Sequence, residues 1–187
     1  AVQAKQGNKD AAKATIQEIE TEEGRQEALV TLAVALAETG DIVEAATLAQ
    51  DIKEPEDQAT IYANIALKHA QNGNTSAAHT AFATALSFAQ TIASAEQQAY
   101  TLNAIAAFQA RAGLADDALR TLELLPVKHE RYWPSLAAVF AENGDKDHFK
   151  RLLLPCAGYV DAAYAMCGHL ARLYPEQASA IAEARST

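Results

Sequence analysis

Apolar residues between Leu29 and Ile52 recur at helical spacing, with one interruption. Leu29, Leu32, Ala33 and Leu36 fall at i, i+3, i+4 and i+7, one face of a helix with a period near 3.6. Ala45, Leu48, Ala49 and Ile52 form a second such face. Between them, Gly40 supplies the left-handed backbone that ends one helix, and Asp41 supplies a side-chain oxygen to cap the amides that open the next. The stretch therefore predicts helix, tight turn, antiparallel helix, with Ala33 and Ala45 on facing stripes so that the two backbones approach closely.

This unit repeats along the chain. Glycine hinges stand at Gly7, Gly40, Gly73, Gly113 and Gly144, roughly 33 residues apart, with one step longer by about seven. Eight residues before the last four hinges stand Leu32, Ile65, Ile105 and Leu136, and one residue later Ala33, Ala66, Ala106 and Ala137. Five residues after the same hinges come Ala45, Ala78, Ala118 and Phe149. Each hinge is thus flanked by the same buried slots.

Taken in order, the pattern predicts helices over 8–20, 22–38, 41–53 and 55–72, the last opened by Pro55 in a first turn. The extra residues of the long step fall after Thr75, in a helix about two turns longer than its counterparts, and Ser94 with Gln97 reads as a capping box for the next. Beyond Gly113 the predicted pieces are 115–125, 132–143, 146–154 ending at Pro155, 159–173 and a weak last helix over 175–184. The first seven residues match the tail of a first helix, with Ala4 in its slot. The chain is read as one helical repeat domain over 1–187, a segment of a longer protein.

Composition narrows the class. The chain is 50% hydrophobic, 6% aromatic and 21% charged, with five prolines and eight glycines, so its alanine-rich text favours helix over strand. A formal charge of -9 argues against nucleic acid or an anionic membrane surface as partner. No apolar run approaches the roughly 18 residues of a membrane span, and no signal-like start is present. The cytoplasm is favoured, although two cysteines leave the redox compartment open.

Little in the sequence points to chemistry. His129, His148, Cys156, Cys167 and His169 cluster late, but Cys167 and His169 lie two apart and point to different sides of one helix. A zinc-dependent helical hydrolase is therefore a remote alternative, and no metal or cofactor is expected. Acidic pairs such as Glu22-Glu23 and Asp116-Asp117 open helices, where the positive helix end accounts for them. No phosphate-binding glycine loop, nucleophile elbow or His-Glu-x-x-His motif occurs, and an enzyme is not expected.

The hinge pattern resembles the tetratricopeptide repeat (TPR) family. That family's large, leucine and small slots are held by Leu29, Tyr62, Leu102 and Trp133, then by pairs such as Leu32-Ala33, and its later alanine by Ala45, Ala78 and Ala118. The period is one residue short of the family's, the closing proline is absent and the later units are irregular. The resemblance implies an all-α fold, an α-solenoid of antiparallel helix pairs wound as a right-handed superhelix. A less regular HEAT-type solenoid is the alternative.

For function, the resemblance implies protein–protein interaction on the concave face, which the first helix of each pair lines. On this register that face includes Glu27, Val30, Thr31, Asn64, Gln71, Tyr100, Asn103, Arg131 and Ser135. Asn64, Gln71, Tyr100, Asn103 and Arg131 are the candidate partner-binding residues, with Tyr100 as the anchor. Lys53 is placed on the outer side. The carboxylate-gripping lysines of some family members are replaced here by Val30, Ala63 and Asn103. A homo-oligomerisation domain is the second reading.

Overall fold

The computed structural model describes residues 9–126, 132–156 and 159–176. Among these residues there are ten α-helices and no strand. They are α1 (Lys9–Gln17), α2 (Glu22–Thr39), α3 (Ile42–Gln50), α4 (Pro55–Gln71), α5 (Thr75–Thr91), α6 (Ala95–Arg111), α7 (Ala115–Glu123), α8 (Trp133–Glu142), α9 (Lys146–Cys156) and α10 (Val160–Leu173). The expected hinge at Gly7 lies outside the described residues, as does nearly all of the helix expected after Pro175. The lengthened helix is α5, at 17 residues against 9 for α3.

Four hinges are built alike. Gly40, Gly73, Gly113 and Gly144 all have left-handed φ, between 69° and 95°. At each, the glycine amide donates to the carbonyl three residues back, and the following amide to the carbonyl five back: Asp41 to Leu36, Asn74 to His69, Leu114 to Gln109 and Asp145 to Phe140. This double closure satisfies carbonyls that a helix end would otherwise leave open, and it requires a residue without a Cβ penalty at positive φ.

Caps at the helix starts are less uniform. Thr21, Asn74 and Ser94 each accept a hydrogen bond from the amide three residues on. The cap expected from Asp41 is not made, because its carboxylate instead pairs with Lys9 of α1. Helix α9 continues to Cys156, past the Pro155 expected to stop it. A proline is compatible with helical φ, and the hydrogen bond that it forfeits at this position falls in the last turn.

Burial follows the repeat slots. Ala33, Ala66, Ala106 and Ala137 have no exposed surface, and Leu32, Ile65, Ile105 and Leu136 are buried beside them. Ala45, Ala78, Ala118 and Phe149 are equally closed. Small residues at the crossing points allow α3 onto α2, α5 onto α4 and α7 onto α6 at close range. One pair of core slots is polar: where others hold Leu36 with Leu48 or Phe140 with Leu152, α6 and α7 hold Gln109 and Thr121, 3% and 2% exposed. The Thr121 hydroxyl donates to Gln109 Oε1 at 2.7 Å, so the two polar groups satisfy each other.

Every substantial helix contact among the described residues joins elements one or two apart in the chain. The first helices of the pairs, α2, α4, α6, α8 and α10, touch in succession, and each second helix leans on its own partner. Ion pairs link the second helices: Lys13 to Glu44 between α1 and α3, His79 to Asp117 between α5 and α7, and Arg151 to Asp116 between α9 and α7 at 2.6 Å. Side-chain amides close the connections, with Gln58 and Gln98 donating to the carbonyls of Ala49 and Ala89, each at 3.1 Å.

Candidate functional site

The helices α6 and α8 run side by side, and a cleft of about 490 Å³ opens between their N-terminal halves. Ser94, Gln97, Tyr100 and Asn103 come from the α6 side, and Tyr132 and Ser135 from the α8 side. Tyr100 is 64% exposed, although large aromatics are ordinarily covered in a folded chain. The Asn103 amide nitrogen donates to Ser135 Oγ at 3.1 Å, and the Ser135 hydroxyl lies 3.2 Å from Asn103 Oδ1. These two side chains bridge the cleft from α6 to α8, beside the exposed tyrosine ring.

A second cleft, of about 780 Å³, lies between α2 and α4. Its walls include Glu23, Glu27, Val30 and Thr31 from α2, and Glu54 and Asp57 at the start of α4. The two clefts are built from matching slots. On the leading helix of each, Glu27 and Tyr100 stand thirteen residues before their hinge and Val30 and Asn103 ten before; the slot nine before is used by Thr31 on the leading helix of one cleft and by Ser135 on the following helix of the other.

Charge is unevenly distributed in the second cleft. Glu22 takes both nearby cations: Lys53 Nζ lies 2.6 Å and Arg25 Nη2 3.0 Å from its carboxylate oxygens. Hydrogen bonds from those two groups hold its carboxyl below the usual carboxylate range. Asp57 moves the other way, raised first by burial and then by repulsion from Glu56 and Glu54. The carboxylates beyond Glu22 have no cation against them among the described residues.

The expected site residues are thus divided. Tyr100 and Asn103 share one cleft. Asn64 is half-buried, and its amide nitrogen donates to the Thr60 carbonyl one turn back at 2.9 Å, which uses locally a donor expected to face a partner. Gln71 is exposed at the far end of α4, away from both clefts. Arg131 lies outside the described residues. Lys53, expected on the outer side, lines the α2–α4 cleft instead, because it belongs to the connection entering α4 rather than to a helix with a defined outward face.

The late histidines and cysteine do not converge among the described residues. His148 packs against Phe140, with Nδ1 2.8 Å from Asp145 and Nε2 3.4 Å from Asp116. Cys167 is exposed and its thiol contacts the Ala163 carbonyl, while Nδ1 of His169 is buried without a hydrogen-bond partner. His129 and the Cys156 side chain lie outside what the structure describes. No group of three His, Cys, Asp or Glu side chains is placed to hold a metal ion among the described residues, and no helix there is long and apolar enough to cross a membrane.

Sequence reasoning missed two features. One is the apolar cleft of about 230 Å³ between α7, α8 and α9, walled by Leu119, Leu122, Leu125, Trp133 and Leu152, where α7 and α8 make little contact. The other is the acidic wall of the α2–α4 cleft, whose signal was the recurrence of glutamate at one slot. Comparison with protein-family models, with curated proteins and with solved structures gave no match.

Proposed function

We propose that the chain is a non-enzymatic protein-interaction module, a solenoid of helix pairs resembling the TPR family, which holds an extended segment of a partner protein along its row of first helices. The arrangement is supported by contacts restricted to elements one or two apart, the expected behaviour of stacked repeats. The observation that carries the binding reading is Tyr100, 64% exposed in a cleft bridged by the paired Asn103 and Ser135. A rigid aromatic offers large contact area at small entropic cost, and a side-chain amide can exchange hydrogen bonds with a partner's main chain.

The test is selection of displayed random 12-residue peptides on the full chain, followed by titration of those recovered. Tyr100→Ala should weaken them by about 30-fold, the effect of a central aromatic worth roughly 2 kcal/mol. Gln50→Ala, an exposed change on α3, should leave affinity unchanged. Peptides indifferent to Tyr100 and Asn103 but sensitive to Gln50 would move the site to the second helices.

A second reading, self-association, is favoured by one observation. Tyr164 on α10 is 82% exposed, and Tyr159, 43% exposed, stacks edge-on against Trp133. Sedimentation across a hundredfold range of concentration distinguishes the readings: a dimer lost in Tyr164→Ser supports association through α10, and a concentration-independent monomer rejects it.

A further inference from the structure

The partner segment can be characterised further by asking which charge the face is built to receive. Seventeen residues before their hinges stand Glu23, Glu56 and Glu96, one in the first turn of each of the successive first helices α2, α4 and α6. The positive helix end accounts for an acid in that turn. It does not account for Glu27, a full turn further into α2, nor for the gathering of Glu54, Glu56 and Asp57, where repulsion from the two glutamates adds to the burial that raises the Asp57 carboxyl. The two cations nearby, Lys53 and Arg25, are both committed to Glu22, so Glu23, Glu27, Glu54 and Asp57 face the cleft without an ion-pair partner among the described residues. Val30 and Thr31 give the cleft a less polar floor between these carboxylates.

The α2–α4 and α6–α8 clefts are made from the same slots of helices that touch in succession, so they open on the same side of the layer. We infer that this side receives an extended basic segment of a partner protein, its Lys or Arg side chains in the carboxylate cleft between α2 and α4 and its continuation against Tyr100. The inference rests on the interaction reading above and adds the chemistry of the ligand. Helices in contact lie about 8–10 Å apart, which a chain in the extended polyproline II form covers in three residues at about 3.1 Å each, returning to the same face at every third residue. A basic residue at every third position would therefore offer a cation to this face at each successive first helix. An arginine reaching the α6–α8 cleft would also find the face of Tyr100 for its guanidinium.

The experiment uses the full chain and three labelled peptides, four repeats of Lys-Ser-Ser, of Gln-Ser-Ser and of Glu-Ser-Ser, each with one Tyr added at its end, followed by fluorescence anisotropy. The lysine peptide is expected to bind at least tenfold tighter than the glutamine peptide at low salt, with the gap narrowing as salt screens the pairs. The triple variant Glu23→Gln, Glu27→Gln, Asp57→Asn should remove that preference. The equally neutralising Asp10→Asn, Asp51→Asn, Asp147→Asn, spread over exposed positions of α1, the end of α3 and α9, should retain it. Circular dichroism of both triples confirms that each is folded. A lysine preference lost equally in the two triples means the net charge alone attracts the peptide, and overturns the assignment. No lysine preference at all also overturns it. If the lysine and glutamine peptides bind equally well and both weaken with Tyr100→Ala, the interaction face stands and its proposed charge selectivity falls. If no peptide responds to any variant of this side, both fall together.

Discussion

Replacing Thr121 by valine removes one hydroxyl and changes almost nothing else in shape. In the fold that hydroxyl is the donor to Gln109 Oε1 at 2.7 Å, and both residues are nearly closed to water. The variant leaves an amide oxygen buried beside a methyl group, a loss of about 1–3 kcal/mol. For a chain of this size, each kcal/mol moves the melting temperature by about 2–4 °C, so Thr121→Val should melt about 2–12 °C lower. Adding Gln109→Leu has the opposite effect. The double variant gives α6 and α7 the kind of apolar pair that Leu36 and Leu48 form between α2 and α3, and its stability should return to within about 1 kcal/mol of the parent, because removing both partners strands neither. The coupling between the substitutions should therefore be of the order of 1–3 kcal/mol and favourable. Thermal unfolding followed by circular dichroism at 222 nm measures all four corners of the cycle. Simple additivity, with the double variant as weak as the sum of the singles, would refute the claim that the two groups matter through each other.

Other consequences can be measured on the same instrument. Ala66→Leu places three extra carbons at a fully buried crossing of α4 and should cost about 1–3 kcal/mol or more through overpacking, whereas Gln50→Leu should change little. Gly73→Ala meets no atom within 4 Å but must adopt a φ of +77°, so its cost should be the left-handed backbone alone, about 1–2 kcal/mol, and Gly73→Asn should recover part of it. Hydrogen bonds from Arg151 and His148 hold the Asp116 carboxyl below its ordinary range. A carboxyl depressed in the fold stabilises above its unfolded value and loses that contribution as pH falls through the lowered folded value, so Asp116→Asn should show a shallower decline in melting temperature than the parent on acidification below about pH 4. An identical acid profile would mean the pair contributes nothing.

What could be read from residues alone was the part of the chain under strict geometric demand. A left-handed turn closed by two backbone bonds admits glycine and few others, so Gly40, Gly73, Gly113 and Gly144 announce the hinges, and a crossing without room for a branched side chain announces Ala33 and Ala66. Where several solutions satisfy one demand, the sequence was ambiguous. Asp41 could cap its helix or pair with Lys9, and the ion pair won. Asn64 could face a partner or its own helix, and its amide turned to Thr60. Lys53 stands in a connection, where helical period assigns no side at all. Gln109 and Thr121 would have been found as a pair by noticing that Thr121 occupies a slot held by Leu48, Ala81 and Leu152 in the other units, and Gln109 one held by Leu36 and Phe140 in two of them. The clefts were harder to read, since their acids, Glu27 excepted, each already have a sufficient reason at a helix start.

The restriction of contacts to elements one or two apart has a mechanical consequence. Among the described residues, a load applied between α1 and α10 passes from each helix pair to the next, since no substantial contact between distant helices shares it. Interfaces loaded one after another behave as springs in series, whose small extensions add while each bears the full force. Such a chain gives way at its weakest junction. Between the α6–α7 and α8–α9 pairs, where α7 touches α8 little, the load falls on the α6–α8 contact and the Arg151–Asp116 pair, so probes on either side of that junction are the informative ones in a pulling experiment.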